Sequence, residues 1–268
     1  MPSGSGLIPN TTTGWQRGFS QLFRRENAGW WKTRRWIVQV VIFALILNGI
    51  VFTVITATSN DPSQPTMTAA EKVAAGIALF VTLAGYAPVI AVVIAGQDSI
   101  IGEKQSGTAA WILSKPVSRA SFVISKLAAH ALAYLVIIPV IQGAVAYAII
   151  SAASGAPLAL LPFVAGMLLV YLNLLFYITL TLMLGTLFEQ RGGVIGIGLA
   201  IALGYQIYLL IVPWSANVMP WGLILEGGTA GSIMQGQTPA TFLPVIATCL
   251  WCVLFTAVAL WRFNKAEF

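Results

Sequence analysis

Six apolar stretches, each about as long as a membrane is thick, constrain this chain more than anything else in it. A helix rising about 1.5 Å per residue needs roughly 20 apolar residues to cross the hydrocarbon core. Runs of that size cover 37–58, 73–97, 127–151, 158–188, 194–214 and 241–261. None alternates at a period of two, and each far exceeds the roughly 10 residues of a barrel strand. The expected fold is an all-α integral membrane protein with six transmembrane helices. Composition points the same way: with 58% apolar and 8% charged residues, there is too little polar surface to solvate a compact domain of 268 residues.

Basic residues then orient the bundle. With both termini placed in the cytoplasm, every Lys and Arg except Lys72 falls on the inside, as positively charged inner connections require. The basic balance therefore reports membrane topology, and nucleic acid is not an expected partner. About 36 residues precede the first span, that span is too long for a signal-peptide core, and no small-residue cleavage pattern follows it. The first span is expected to be retained, in a prokaryotic cytoplasmic membrane.

The chain divides into three parts. Residues 1–14 are mostly Gly, Ser, Thr and Pro with little to bury and read as a flexible tail. Residues 15–36 read as an amphipathic interfacial elbow helix. Trp15, Phe19, Leu22 and Phe23 recur at helical spacing among Arg17, Arg24 and Arg25, with a turn expected at Asn27-Ala28-Gly29. The alternative for this part is a generic basic anchor. Residues 37–268 form the six-helix domain, with a polar inner loop at 98–126 and an outer segment at 215–240. That outer segment is too apolar for an ordinary loop and is expected to dip back as one or two short helices. Within it, Glu226 orients a polar group or merely keeps the segment hydrated.

The inner loop is the longest charged interruption in the chain. Glu103 to Leu113 has good helix formers around one Gly, and Pro116 stops that helix. Ser118 can cap a second helix beginning at Arg119. A short helix, a turn and a new helix, with Trp111, Leu113 and Phe122 among basic side chains, make a compact mixed surface suited to a soluble partner.

The segment Glu103-Lys104-Gln105-Ser106-Gly107-Thr108, followed by Leu113-Ser114-Lys115-Pro116-Val117-Ser118-Arg119 and then Phe122 and Lys126, resembles the signature after the second span of type-2 permease subunits of ATP-binding cassette exporters. The likeness extends over 15–268. It implies that the loop carries a coupling helix docking on a separate cytoplasmic ATPase, two per complex, with the elbow helix supporting the joint. Glu103, Gly107, Thr108, Pro116, Ser118 and Arg119 are thereby associated with coupling. ATP and Mg would be bound by the ATPase and no cofactor by this chain. The chain itself has no Gly-x-x-x-x-Gly-Lys-[Ser/Thr] loop.

Gly192, Gly196, Ala200 and Gly204 recur every four residues and place small residues on one face of the fifth span. The resemblance implies that this face meets a second permease subunit, identical or homologous. Packing within one subunit is the other reading. Cys249 and Cys252 form a CxxC in an apolar span without further Cys, and His130 is the only histidine. Neither makes a metal site or a catalytic triad.

Inside the spans, Asn48, Gln142, Asn173 and Gln206 are the polar residues that either line a pathway or link helices, with Tyr86, Tyr134, Tyr171, Tyr177, Tyr205 and Tyr208 as amphipathic walls. None of the four is charged, which favours energy supplied from outside the bundle over a proton- or sodium-driven carrier. Pro88 and Pro139 are expected to kink spans 2 and 3. The reading is a permease subunit of an ATP-driven exporter. The alternatives are a membrane-embedded enzyme or maturation factor and a passive channel, and both lack an ATPase partner.

Overall fold

A computed structural model describes residues 14–60 and 67–265, and nearly all of the expected tail lies outside them. The long apolar runs are helices, and no strand occurs among the described residues. A 3-10 turn at Gly14–Gln16 leads into α1 (Phe19–Trp31). Span 1 joins α2 (Arg35–Phe43) to α3 (Ile50–Asn60) through a π-helical stretch, Ala44–Gly49. Span 2 is α4 (Ala69–Gln105), and a short α5 (Thr108–Leu113) follows it. Span 3 joins α6 (Arg119–Leu135) to α7 (Gly143–Ser154) through a second π-helical stretch, Val136–Gln142. Span 4 is α8 (Leu160–Leu187). Then come α9 (Arg191–Leu203), α10 (Tyr205–Ile211), the short α11 (Trp221–Ile224) and α12 (Thr229–Met234), and α13 (Leu243–Lys265) as the last span.

The fifth span corrects the expectation of one unbroken helix over 194–214. α9 and α10 meet at a bend of 58°, so five helices are long and apolar enough to cross a membrane and this pair makes a sixth only if counted together. The break falls at Gly204. A Cβ there would press on the Ala200 carbonyl, so only glycine fits the bend. Tyr205 stacks on Tyr86 of span 2 at 4.5 Å and holds the turned segment.

Two further boundaries shift. Asn27 to Gly29 are helical, because Lys32 N–H reaches the Ala28 carbonyl and Trp31 Nε1 donates to Asn27 Oδ1 at 2.8 Å; the chain turns instead at Lys32 to Arg34. The polar segment 98–126 is mostly helix as well. Its first part continues α4 to Gln105 and its last part is already α6, which leaves α5 and the turns at 106–107 and 114–118 as the true connection. At 37 residues α4 is about 55 Å long against a core of about 30 Å, so it projects well beyond the membrane. A capping box starts it: Thr68 Oγ1 accepts from Glu71 N–H while Thr68 N–H donates to Glu71 Oε2 at 2.7 Å. Pro88 sits inside this helix without ending it, and Pro139 lies in the π-helical stretch of span 3.

Burial shows which helix organises the bundle. In span 4, 67% of the most apolar window is buried, against 22% in spans 1 and 6, so α8 is the post on which the others pack. Thr179, Thr248 and Thr256 return their hydroxyls to the carbonyls of Leu175, Pro244 and Cys252, so these hydroxyls bring no unpaired donor into the bundle.

Candidate coupling site

The polar groups concentrate where α1, α4 and α6 meet. Lys126, on the first turns of α6, is 2% exposed and places Nζ 2.9 Å from Glu26 Oε1 of α1 and 3.0 Å from Glu103 Oε2 of α4. Arg25 reaches the other oxygen of Glu103 at 3.4 Å. One buried cation thus binds two carboxylates from two other helices. Such an arrangement offsets its desolvation only while all partners are present, and removing one from a buried pair costs about 3–5 kcal/mol.

Around this centre, side chains tie off the ends of the spans. Lys104 Nζ donates to the carbonyls of Gly185 and Thr186 at 3.0 and 3.1 Å, which closes the last turn of α8. Gln105 Nε2 donates to the Glu189 carbonyl at 3.0 Å. Arg119 Nη1 donates to the Asn264 carbonyl at 2.8 Å in the last turn of α13, and Phe122 stacks on Phe263 at 4.9 Å. Ser118 Oγ accepts from the Ser121 N–H at 2.9 Å and caps α6, while Ser118 N–H donates to the Arg17 carbonyl just before α1. Gly18 makes that approach possible: its φ is 81°, and a Cβ would strike the Val117 side chain.

Of the residues associated with coupling, Glu103, Ser118 and Arg119 therefore face inward as struts. Gly107, at φ 69°, makes the turn into α5, and Thr108 hydrogen-bonds Ser106 side chain to side chain at 2.8 Å. Pro116 is exposed in the turn that follows. α5 and that turn are part of the outward surface, with Trp111 60% exposed and Lys115 Nζ 3.4 Å above its ring.

The amides in the bundle fall into two groups. Asn48 Nδ2 donates to Gln142 Oε1 at 2.7 Å and Gln142 Nε2 donates to the Val40 carbonyl at 2.9 Å, so the two π-helical stretches are locked to each other. Asn173 Nδ2 donates to the Gly85 carbonyl at 2.8 Å, one turn before Pro88. These three link helices. Gln206 lies on the exposed side of α10, which buries no residue, and its amide donates to the neighbouring Tyr205 hydroxyl. A place inside the bundle is thus corrected for Gln206, because the bend at Gly204 turns α10 outward.

The small-residue face of α9 is likewise revised. Val194, Gly198 and Ala202 pack inward, and Gly198 lies against Val93 of span 2. Gly192, Gly196 and Ala200 are exposed, and nothing approaches Gly192 or Gly196. Among the described residues, no helix packs on Gly192 or Gly196. Among the described residues no group of three His, Cys, Asp or Glu is placed to hold a metal, and His130 is buried with Nδ1 at 2.9 Å from the Lys126 carbonyl.

Sequence reasoning missed the Lys126–Glu26 pair. A signal was present: Glu26 is the lone acid in a basic segment, and Lys126 is a lone charge at the start of an apolar run.

A family described as "ABC-2 family transporter protein" matches residues 22–268 of the chain. A curated relative, "Probable ABC transporter permease protein NosY" of Stutzerimonas stutzeri, is 25% identical over 247 residues, covering 82% of this chain and 86% of the relative.

Proposed function

The chain belongs to the ABC-2 family of transporter proteins, a family of multi-pass membrane permeases, and on that premise we propose that it is the permease subunit of an ATP-driven exporter, coupled to a separate ATPase through α5. The observation that carries the coupling reading is the arrangement at the basic end. α5 presents an exposed Trp111 beside a junction whose side chains bind α1, α4, α6, α8 and α13 into a unit. A push on Trp111 and Lys115 reaches four spans through these ties.

On this reading both termini and the basic end lie in the cytoplasm, the protein sits in the cytoplasmic membrane, and two permeases work with two ATPases that hold ATP and Mg. The unpartnered Gly192, Gly196 and Ala200 face of α9 is the surface offered to the second permease, which is identical or homologous. Glu103, Ser118 and Arg119 transmit rather than touch the ATPase.

The test is co-purification with the cognate ATPase, followed by ATP hydrolysis in the reconstituted complex. Glu103→Gln and Arg119→Gln are expected to insert normally but to lower permease-stimulated hydrolysis and transport. Failure to isolate any ATPase, or wild-type stimulation in both variants, defeats the reading.

A further inference from the structure

A half-open groove of about 790 Å³ runs between α2 and α4 at the basic end, roofed by Trp30 of α1. Its charged groups gather toward one end, where Arg35, Gln97 and the Asp98–Arg191 pair lie, with Gln39 one turn further along α2. Its depth is apolar, with Ile42 and Ile46 on one wall and Ile90 and Ile94 on the other. From Arg35 to Ile46 the helix rises about 16 Å, close to half of a hydrocarbon core of about 30 Å. Headgroup and acyl chain follow the same order over the same distance in one leaflet.

Two observations give the polar end a chemistry. Asp98 and Arg191 neutralise each other at 2.9 Å and Glu26 is held by Lys126, whereas Arg35 has no ion-pair partner among the described residues. Gln97 is 6% exposed, and its Oε1 is a buried acceptor without a hydrogen-bond donor among the described residues. The end therefore asks for an anion and a hydroxyl donor on one molecule.

We propose that this groove binds a single anionic phospholipid with a hydroxyl-bearing headgroup, taken from the leaflet at the basic end. Its phosphate pairs with Arg35, a headgroup hydroxyl donates to Gln97, and an acyl chain lies along Ile42, Ile46, Ile90 and Ile94. A free anion would leave those apolar walls uncovered, and a second protein copy would have to supply an anion and a donor at one end only. The proposal needs only that the chain spans a membrane. Lipid retention is read without nucleotide or ATPase, so its failure is separate from a failure of the coupling reading.

The experiment counts lipids retained by the purified full chain in native mass spectrometry, after exchange into micelles containing phosphatidylglycerol or phosphatidylcholine of matched chains. Phosphatidylglycerol is expected to be retained roughly fivefold better, and Arg35→Gln to remove that preference. Arg34→Gln, beside the groove but not lining it, leaves the preference intact. Ile94→Trp, at a half-exposed position that tolerates a larger ring, lowers retention of both lipids, and Ile90→Trp does the same if the first variant misfolds. Equal retention of the two lipids, equal behaviour of the two Arg variants, or unchanged binding in the Trp variants overturns the proposal.

Discussion

At the basic end, α1, α4, α6, α8 and α13 meet through charged side chains and capped carbonyls: Lys126 on Glu26 and Glu103, Lys104 on the end of α8, Arg119 on the end of α13. At the far end, α11 and α12 close over α4 and α8 with buried Trp221, Leu223, Ile224 and Met234. Two glycines let them in, Gly85 against Ile224 and Gly166 against Met234. The polar ties there are few, Trp251 Nε1 donating to the Val218 carbonyl at 2.9 Å among them. An apolar contact tolerates a change of shape if volume is kept, whereas a buried charge tolerates no missing partner. The basic end is thus exacting about its partners, and the far end about its volume.

The largest effect is expected from removing the cation. Lys126→Met leaves two carboxylates facing each other, and the lost partner should cost about 3–5 kcal/mol. The measurement is the thermal unfolding midpoint of the detergent-solubilised chain. Adding Glu26→Gln and Glu103→Gln to Lys126→Met should recover part of the loss, since the neutral trio no longer repels. A midpoint equal to wild type in the single variant removes the charged joint from the comparison.

At the far end, Ile224→Ala should open a cavity beside Gly85 and cost about 2–4 kcal/mol, while Ile224→Leu should cost less than about 1.5 kcal/mol. That graded response, read in the same unfolding assay, separates a packed cap from a charged joint. Equal losses for Ala and Leu would mean that the far end is as exacting as the basic one.

The contrast between the ends also marks how far the sequence could be read. Apolar run length revealed the five unbroken spans, because helix rise and membrane thickness leave little choice. The span 5 break escaped it, since one Gly among several in 192–204 carries no local sign that its neighbour Tyr205 will stack on Tyr86 from another span. Glu103 and Arg119 stood out by their motif, yet the motif does not say whether a side chain points to solvent or inward. That depended on Lys126 and on the α13 carbonyls, both distant in sequence. Asn48 and Gln142 were visible as costly amides, and only the facing π-helical stretches show that Asn48 donates to Gln142.

Midway between the two ends, that amide pair offers a smaller perturbation. Interhelical hydrogen bonds inside membranes contribute about 0.6 kcal/mol on average and up to about 1.7. A double-mutant cycle with Asn48→Leu and Gln142→Leu should return a coupling energy in that range. Additive single losses would show that spans 1 and 3 are not linked through these amides.

The smallest effect on the chain itself belongs to Trp111. Its ring is 60% exposed and its neighbour Lys115 needs nothing from the bundle, so Trp111→Ala should change the stability of the isolated chain by no more than about 0.5 kcal/mol. The same ring, projecting beside a cation, has the features of an interface anchor, where truncation costs 2 kcal/mol or more at about the strongest positions. Affinity for the ATPase should therefore fall by roughly thirtyfold while the unfolding midpoint stays in place. Lys126→Met should do the reverse, weakening the fold first and binding only as a consequence. If Trp111→Ala lowers the midpoint as far as Lys126→Met does, α5 is part of the joint rather than its outward face, and the docking surface lies elsewhere at the basic end.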